Sequence, residues 1–505
     1  MKQFLFLISS ILITSYAFAQ PAFVTDSLDN YIQREMQRWD IPGMAVAIVK
    51  DGKVVVSKGY GVQNLDTKTP VNENTLFQIA SNSKAFTGTA MAILQEQGDI
   101  QLDDKVTEYL DYFKMINPNI TKMVTIEDVL SHRLGYETFE GDFLHWNSNL
   151  TRKQMVESMA RQEMVYDFRD TYGYCNVGFV TAGEILFNVT DTTWDNFIQH
   201  RFFDPLEMKR SSTTLDDLLK DKNKCTPYTL VDNALVKLDY ANVDNLGPAA
   251  SINSSVNDLS HWVMMQLNKG KYNNKQVVPY NALMNTYKSR TIVRDVYSRL
   301  YPDMHFNTYG LGWNINDYKG RRVFSHDGGS NGFITSVCFI PEENLGIIVL
   351  TNTDANSLYD ALRMQIIESY FSMPYRNISE IYYSYTEPGD KETWTEIHAW
   401  QAIAAEHNSP ASPIEDYVGT YTNTLYGDIF IKYNGKNLEI SFPHHQFMTA
   451  KLEPMGENVF LCTYSDPTYG IRKVSFEQEK NIISKFTLTV NDFVDLQPYD
   501  FYRKE

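Results

Sequence analysis

Two short stretches of this chain have the residue types and spacing to make a serine into a nucleophile. One is Ser81-Asn82-Ser83-Lys84, the sole Ser-x-x-Lys in the sequence. On a helix, side chains three residues apart share a face, so Ser81 and Lys84 would meet. A serine at a helix N-terminus also faces backbone N–H groups and the positive end of the helix dipole, which favour developing negative charge. An amine with a depressed pKa beside it can take the hydroxyl proton. The plainer role is a helix-capping Ser81 with Lys84 in water. The apolar neighbours Leu76, Phe77, Ile79 and Ala80, and an apolar segment afterwards, argue against it.

The second stretch is Gly328-Gly329-Ser330-Asn331-Gly332, which matches G-x-S-x-G. That elbow needs a strand before the serine and a helix after it. Here Phe333 to Ile340 is β-branched and aromatic without helical spacing, so the segment reads as strand, Gly-rich turn, strand. Ser330 is therefore read as part of a turn and not as a nucleophile.

The elements that must hold Ser81 and Lys84 follow from local patterns. Ala45–Lys50, Asp51-Gly52 and Lys53–Ser57 form a hairpin, with Asp-Gly supplying the positive φ angles of a type I′ turn. Ala85–Leu94 is mostly apolar and reads as a buried helix. Residues 103–290 read as helices and loops, 309–352 as strands, and Ser357–Phe371 as an amphipathic helix able to pack on that sheet. This distribution predicts one sheet assembled from both ends of the region, with a helical insertion between. Around Asn408–Pro413 the composition becomes that of a linker. Closely spaced strands follow, Gly427–Tyr433 and Leu438–Phe442 joined by Asn434-Gly435, as in a small β-barrel or sandwich.

Bulk properties narrow the function classes. The 505-residue chain carries 62 acidic and 45 basic residues, a formal charge of −17, with no basic run. Nucleic acid and anionic membranes are therefore poor partners. Met1-Lys2, an apolar stretch from Phe4 to Tyr16 and Ala17-Phe18-Ala19 predict a signal peptide cleaved after Ala19, and hence an exported protein without a stable membrane anchor. Cys175, Cys225, Cys338 and Cys462 allow three disulfide pairings or free thiols. His444-His445 lacks partners at ligand spacing, so no metal is expected.

Taken together, these residues resemble the serine β-lactamase and penicillin-binding-protein superfamily, in its class C β-lactamase-related branch (peptidase family S12 and related esterases). The resemblance is carried in order by Ile41–Ala45, Phe77–Lys84, Leu130–Gly135, Asp204–Met208, Tyr309–Trp313 and His326-Asp327-Gly328. It implies an α/β (α+β) β-lactamase/transpeptidase-like fold: an antiparallel sheet flanked by helices, a helical subdomain, then a small barrel-like β-domain resembling the lipocalin-like domain of some relatives. The expected division is a signal peptide 1–19, a catalytic domain 20–372, a linker with a helical segment 373–411 and a β-domain 412–505.

The resemblance also implies roles. Ser81 is the nucleophile, and Lys84 and a Tyr-x-Asn tyrosine move protons. Of four such motifs, beginning at Tyr174, Tyr240, Tyr272 and Tyr421, we take Tyr174 with Asn176, because an apolar helical segment follows and Tyr174 is nearer the family spacing. Asn176, His326 and Gly328 are expected to bind substrate, and the N–H groups of Ser81 and Gly329 to form an oxyanion hole. No cofactor is implied. His-Asp-Gly stands where β-lactamases carry Lys-Thr-Gly, so His326 would meet a substrate carboxylate with a charge at low pH only. Burial would lower its pKa and Asp327 would raise it, and the sequence leaves the balance open. The expected activity is hydrolysis of small peptides, D-amino-acid-containing ones included, amides or esters. An esterase or weak β-lactamase is the alternative, and a penicillin-binding sensor without turnover is the alternative of another class. Oligomeric state is left open.

Overall fold

The computed structural model describes residues 20–295, 298–406 and 408–504. The expected signal peptide lies outside the described residues. The centre is an eight-stranded antiparallel sheet in the order Lys53–Gly61, Gly43–Lys50, Leu345–Thr351, Phe333–Ile340, Arg321–Ser330, Asn314–Tyr318, Phe306–Tyr309, Thr291–Asp295. Strands from both ends of the region thus share one sheet. Asp51 and Gly52 have φ of 51° and 74°, the conformation that a two-residue I′ hairpin requires.

The sheet is covered on both faces, which explains why its central strands are apolar throughout. Ala45, Ala47 and Val49 join one core with Val263 of the helix Val256–Leu267. Met44, Val46 and Ile48 join another with Leu358 and Leu362 of the helix Leu358–Tyr370. The alternation is the period of two that a strand imposes. Each fully buried Val, Ile or Leu contributes about 1.5–3 kcal/mol.

The helix Ser83–Gln97 crosses the first of these cores, and every residue from Ser83 to Leu94 is buried. Its low amphipathicity is that of a helix surrounded by protein. Gly98 ends it at φ 82°, donating its N–H to the carbonyls of Gln95 and Leu94. The helix Asn176–Thr190 packs beside it in the helical subdomain.

A 28-residue helix, Ile378–Ala405, precedes the C-terminal unit and packs along its strands. That unit is a closed barrel of eight strands from Gly419 to Arg503, with first and last strands paired through Tyr421–Arg503 and Thr422–Tyr502. Rings of Tyr417, Tyr421, Phe460, Phe476, Phe486 and Phe501 are buried in it. The barrel rests against the helical subdomain. Phe143, from the short helix Asp142–His145, inserts among the rings of Tyr426, Phe442, His445, Tyr469 and Tyr499, with centroids 4.9–6.3 Å apart. Among the described residues, no helix is long and apolar enough to cross a membrane. Cys175, Cys225, Cys338 and Cys462 are all buried free thiols.

Candidate active site

Ser81 lies in a single 3₁₀ turn, Ala80–Asn82, that leads into the helix Ser83–Gln97. The residue before it, Ala80, has φ 43°, a costly conformation for a side chain with a Cβ. Neighbouring hydrogen bonds hold the turn in that shape. Asn82 Nδ2 donates to Ile79 O at 3.0 Å and to Thr335 Oγ1 at 2.9 Å, and Thr335 Oγ1 bonds in turn to Gly328 O at 3.1 Å. The turn is thereby fastened to the strand Arg321–Ser330. Only glycine fits at 328, because a Cβ there would stand 2.1 Å from Ile79 O. Beyond Ser325, which pairs with Asn314, that strand has no strand partner on the Asn314 side among the described residues, while its pairing with Phe333–Ile340 continues. Residues 326–330 therefore present a sheet edge beside Ser81.

Lys84 is fully buried beneath Ser81. Its Nζ lies 3.0 Å from Ser81 Oγ, 2.6 Å from Asn176 Oδ1 and 3.0 Å from Ala249 O. Burial lowers its pKa to about 7, and Asp142 only partly opposes that shift. Ala249 O accepts, and Asn176 can only accept there because its Nδ2 donates to Asp142 Oδ2 at 2.6 Å. A neutral amine thus spends both N–H bonds on these two partners, and its lone pair is left for the Ser81 hydroxyl. As an ammonium it makes the same three contacts as donor, so the proton transfer requires no movement.

Tyr174 covers the amine, with Lys84 Nζ 4.6 Å from its ring centroid. Burial holds the phenol pKa well above its usual value, although a contact with Ser81 works the other way. Tyr174 is therefore a phenol at neutral pH, able to donate a proton but not to serve as a resident base. His132 stacks on it at 4.3 Å and accepts Cys175 N–H on Nδ1 at 3.0 Å, which fixes the backbone between Tyr174 and Asn176.

His326 lines the opposite wall. Its Nδ1 contacts Asp327 O at 2.7 Å and so carries the hydrogen, and its Nε2 accepts from the Tyr309 hydroxyl at 3.0 Å. Burial and the Lys84 charge push its pKa down to about 3. Burial therefore decides the balance that the sequence left open. The Asp327 carboxylate is turned to Arg363. A neutral His326 with both nitrogens engaged has no charge to offer a substrate carboxylate across the physiological range.

The cleft over Ser81 has a volume of about 380 Å³ and is lined also by Phe139, Trp146, Tyr172, Ile334 and, from the barrel, Phe493 and Val494. Phe493 closes over Gly329, whose Cβ position is 2.9 Å from its ring. A roomier cleft of about 530 Å³ opens near Tyr301, Asp360 and Arg363 and shares Asn314 and Asp327 with the first.

The structure thus gathers Ser81, Lys84, Tyr174, Asn176, His326, Gly328 and Gly329 in one cleft. Ser330 ends its strand, fully buried and outside the lining of the cleft, and the tight turn itself is Asn331-Gly332. Tyr240 bonds to Cys225 O, and Tyr421 is buried in the barrel. Sequence reasoning missed Asp142, Ala249 and Phe493, which no local pattern marks. It also missed His132 and Tyr309, which lie inside the motif stretches that carried the resemblance.

The beta-lactamase family model matches residues 28–370, and a domain of unknown function, DUF3471, matches residues 404–503. Protein flp of Staphylococcus aureus (strain MW2) is 28% identical over 347 residues, 67% of this chain and 66% of that protein, so the chain spans just under two thirds of that relative's length. Unguisins hydrolase ungD of Aspergillus violaceofuscus is 27% identical over 436 residues, 79% of this chain and 76% of that protein. In fold, the chain is similar to the octameric penicillin-binding protein homologue from Pyrococcus abyssi, with TM-score 0.62, 20% identity and coverage of 95% of this chain and 100% of that one. With its family model spanning most of the sequence and its Ser-x-x-Lys pair folded into one cleft, this chain belongs to the beta-lactamase family.

Proposed function

We propose that this protein is an exported serine hydrolase that cleaves amide or ester bonds of small substrates, short peptides included, through an acyl-enzyme on Ser81. The observation that carries this reading is the 3.0 Å contact between Ser81 Oγ and Lys84 Nζ, with the other two amine N–H bonds already committed. Ser81 Oγ attacks the carbonyl carbon as its proton passes to the Lys84 lone pair. The carbonyl oxygen becomes an oxyanion held by the N–H groups of Ser81 and Gly329. Collapse breaks the bond to the leaving group, which takes a proton from the Tyr174 phenol, and the Lys84 ammonium returns a proton to Tyr174 through the site. Water then repeats the sequence on the acyl-enzyme, and Ser81 regains its proton.

Two features bear on substrate. The sheet edge at 326–330 can pair with an extended acyl chain, as peptides pair with exposed strands. A neutral His326 provides no fixed charge for a carboxylate, which favours neutral amides, esters and peptides over β-lactams. Of the named relatives, one is a hydrolase by name, and only that general class is carried over here. The test is a panel of D- and L-peptides, p-nitrophenyl esters and nitrocefin, with Ser81→Ala as control. Turnover of a peptide or ester that is lost in the control supports the reading. Stable acylation without turnover points to a sensor, and turnover that survives Ser81→Ala refutes the reading.

A further inference from the structure

We propose that the C-terminal barrel is a working part of the active site, with its Asp495 holding Asp142 in place and Asp142, acting through Asn176, setting the orientation of Lys84. Both aspartates are positioning residues. The inference rests on Lys84 being the base that activates Ser81.

The chain of contacts is continuous. Asp495 Oδ2 accepts the N–H of Gly141 and the N–H of Phe143, each at 3.1 Å. These are the two residues that flank Asp142. Tyr499, on the last barrel strand, donates its hydroxyl to the same oxygen and accepts Gly141 N–H at 3.1 Å. Asp495 Oδ1 is fixed by Gln497 N–H at 2.9 Å. One carboxylate of the barrel therefore grips the backbone on both sides of Asp142. The grip is reinforced by Phe143 in the barrel mouth.

Asp142 is 3% exposed and lines the cleft. Its Oδ2 accepts Asn176 Nδ2. This bond decides which end of the Asn176 amide faces Lys84. With Asp142 present, the amide oxygen faces the amine and takes one of its N–H bonds. Without an acceptor at 142, the amide is free to rotate by half a turn and present its NH₂ to Lys84. The amine lone pair would then be occupied by an Asn176 donor and not by the Ser81 hydroxyl. The role needs a hydrogen-bond acceptor and does not need a charge. That matches the environment of Asp142, where burial and then the Asp495 carboxylate drive its pKa well above the usual carboxylate range.

The test uses the full chain and p-nitrophenyl acetate or the best ester of the substrate panel. Asp142→Leu keeps the branching at Cγ, with methyls in place of the two oxygens, and removes the acceptor, and kcat should fall about tenfold or more with KM within about twofold. Asp142→Asn keeps an acceptor oxygen and should recover most of the rate. Asp142→Leu added to Asn176→Ala should cost nothing beyond Asn176→Ala alone, because the first acts through the second. Tyr499→Phe and Asp495→Ala should lower kcat in that order of severity, again without further loss on the Asn176→Ala background. If Asp495→Ala does not fold, Tyr499→Phe decides the barrel's part. Equal rates for Asp142→Leu and Asp142→Asn, or losses that multiply with Asn176→Ala, overturn the proposal. Full activity in Lys84→Ala instead overturns the assignment of the base, a separate failure.

Discussion

Asp142 and Phe143 are neighbours in sequence that face opposite ways. Asp142 bonds to Asn176 beside the Lys84 amine, and Phe143 fills the mouth of the barrel. One peptide bond thus separates the chemistry from the contact between the two parts of the chain. Phe143→Ala should destabilise the protein by about 3 kcal/mol or more, as large-to-small changes at fully buried aromatics do. It should lower kcat as well. Thermal melts and ester hydrolysis of the same preparation check both. A stable variant with normal kcat would mean that the barrel and cleft are independent.

Gly328 sets how closely the turn that carries Ser81 approaches the sheet. Gly328→Ala would place a methyl 2.1 Å from Ile79 O, and backbone, not a flexible side chain, must then move. A displacement of about 1 Å at the nucleophile can cost about a hundredfold in rate. The expected result is a loss of that order in kcat/KM with a folded protein. Near-normal activity would show that the turn has slack.

The pH–rate profile should report Lys84. The amine must be neutral to accept the Ser81 proton, and its pKa is lowered to about 7. The acid limb of kcat/KM should therefore bend near pH 7, with activity rising through it. His326 should contribute no bend between pH 5 and 9, because its pKa is about 3. The kcat/KM ratio of a carboxylate-bearing ester to a neutral ester should be flat over that range. A ratio that falls with rising pH would mean that His326 titrates there and meets the carboxylate.

The same burial makes Lys84 a stability cost. Its folded pKa lies below its unfolded value, so unfolding takes up a proton between about pH 7 and 10.5, and stability rises with pH across that window. Lys84→Met should consequently be inactive yet more stable than wild type. The gain should be full at pH 7 and below and shrink as pH rises toward 10. Melting temperatures at pH 6 and pH 9 test this. A destabilised Lys84→Met at both would show that the three hydrogen bonds of the amine outweigh its desolvation.

Much of the frame was legible in the sequence because it rests on local rules. Asp51-Gly52 dictates its hairpin, alternation marks the strands, and the one-turn spacing of Ser81 and Lys84 is intrinsic to a helix. The decoy at Ser330 was also recognisable, since the residues after it favour a strand. The remaining contacts are long-range. Asp142, Ala249 and Phe493 reach the cleft from three distant segments, and none sits in a pattern that announces it. The state of His326 was illegible for a different reason. Two opposing effects act on its pKa, and only burial in the finished fold decides between them.

The most direct test is to map covalent modification by a fluorophosphonate. The full-length chain is labelled, digested and sequenced by mass spectrometry. The expected result is one modified peptide, labelled at Ser81, with labelling abolished by Ser81→Ala, sharply reduced by Lys84→Ala and unchanged by Ser330→Ala. Modification at Ser330, or undiminished labelling of Ser81→Ala, would contradict the account.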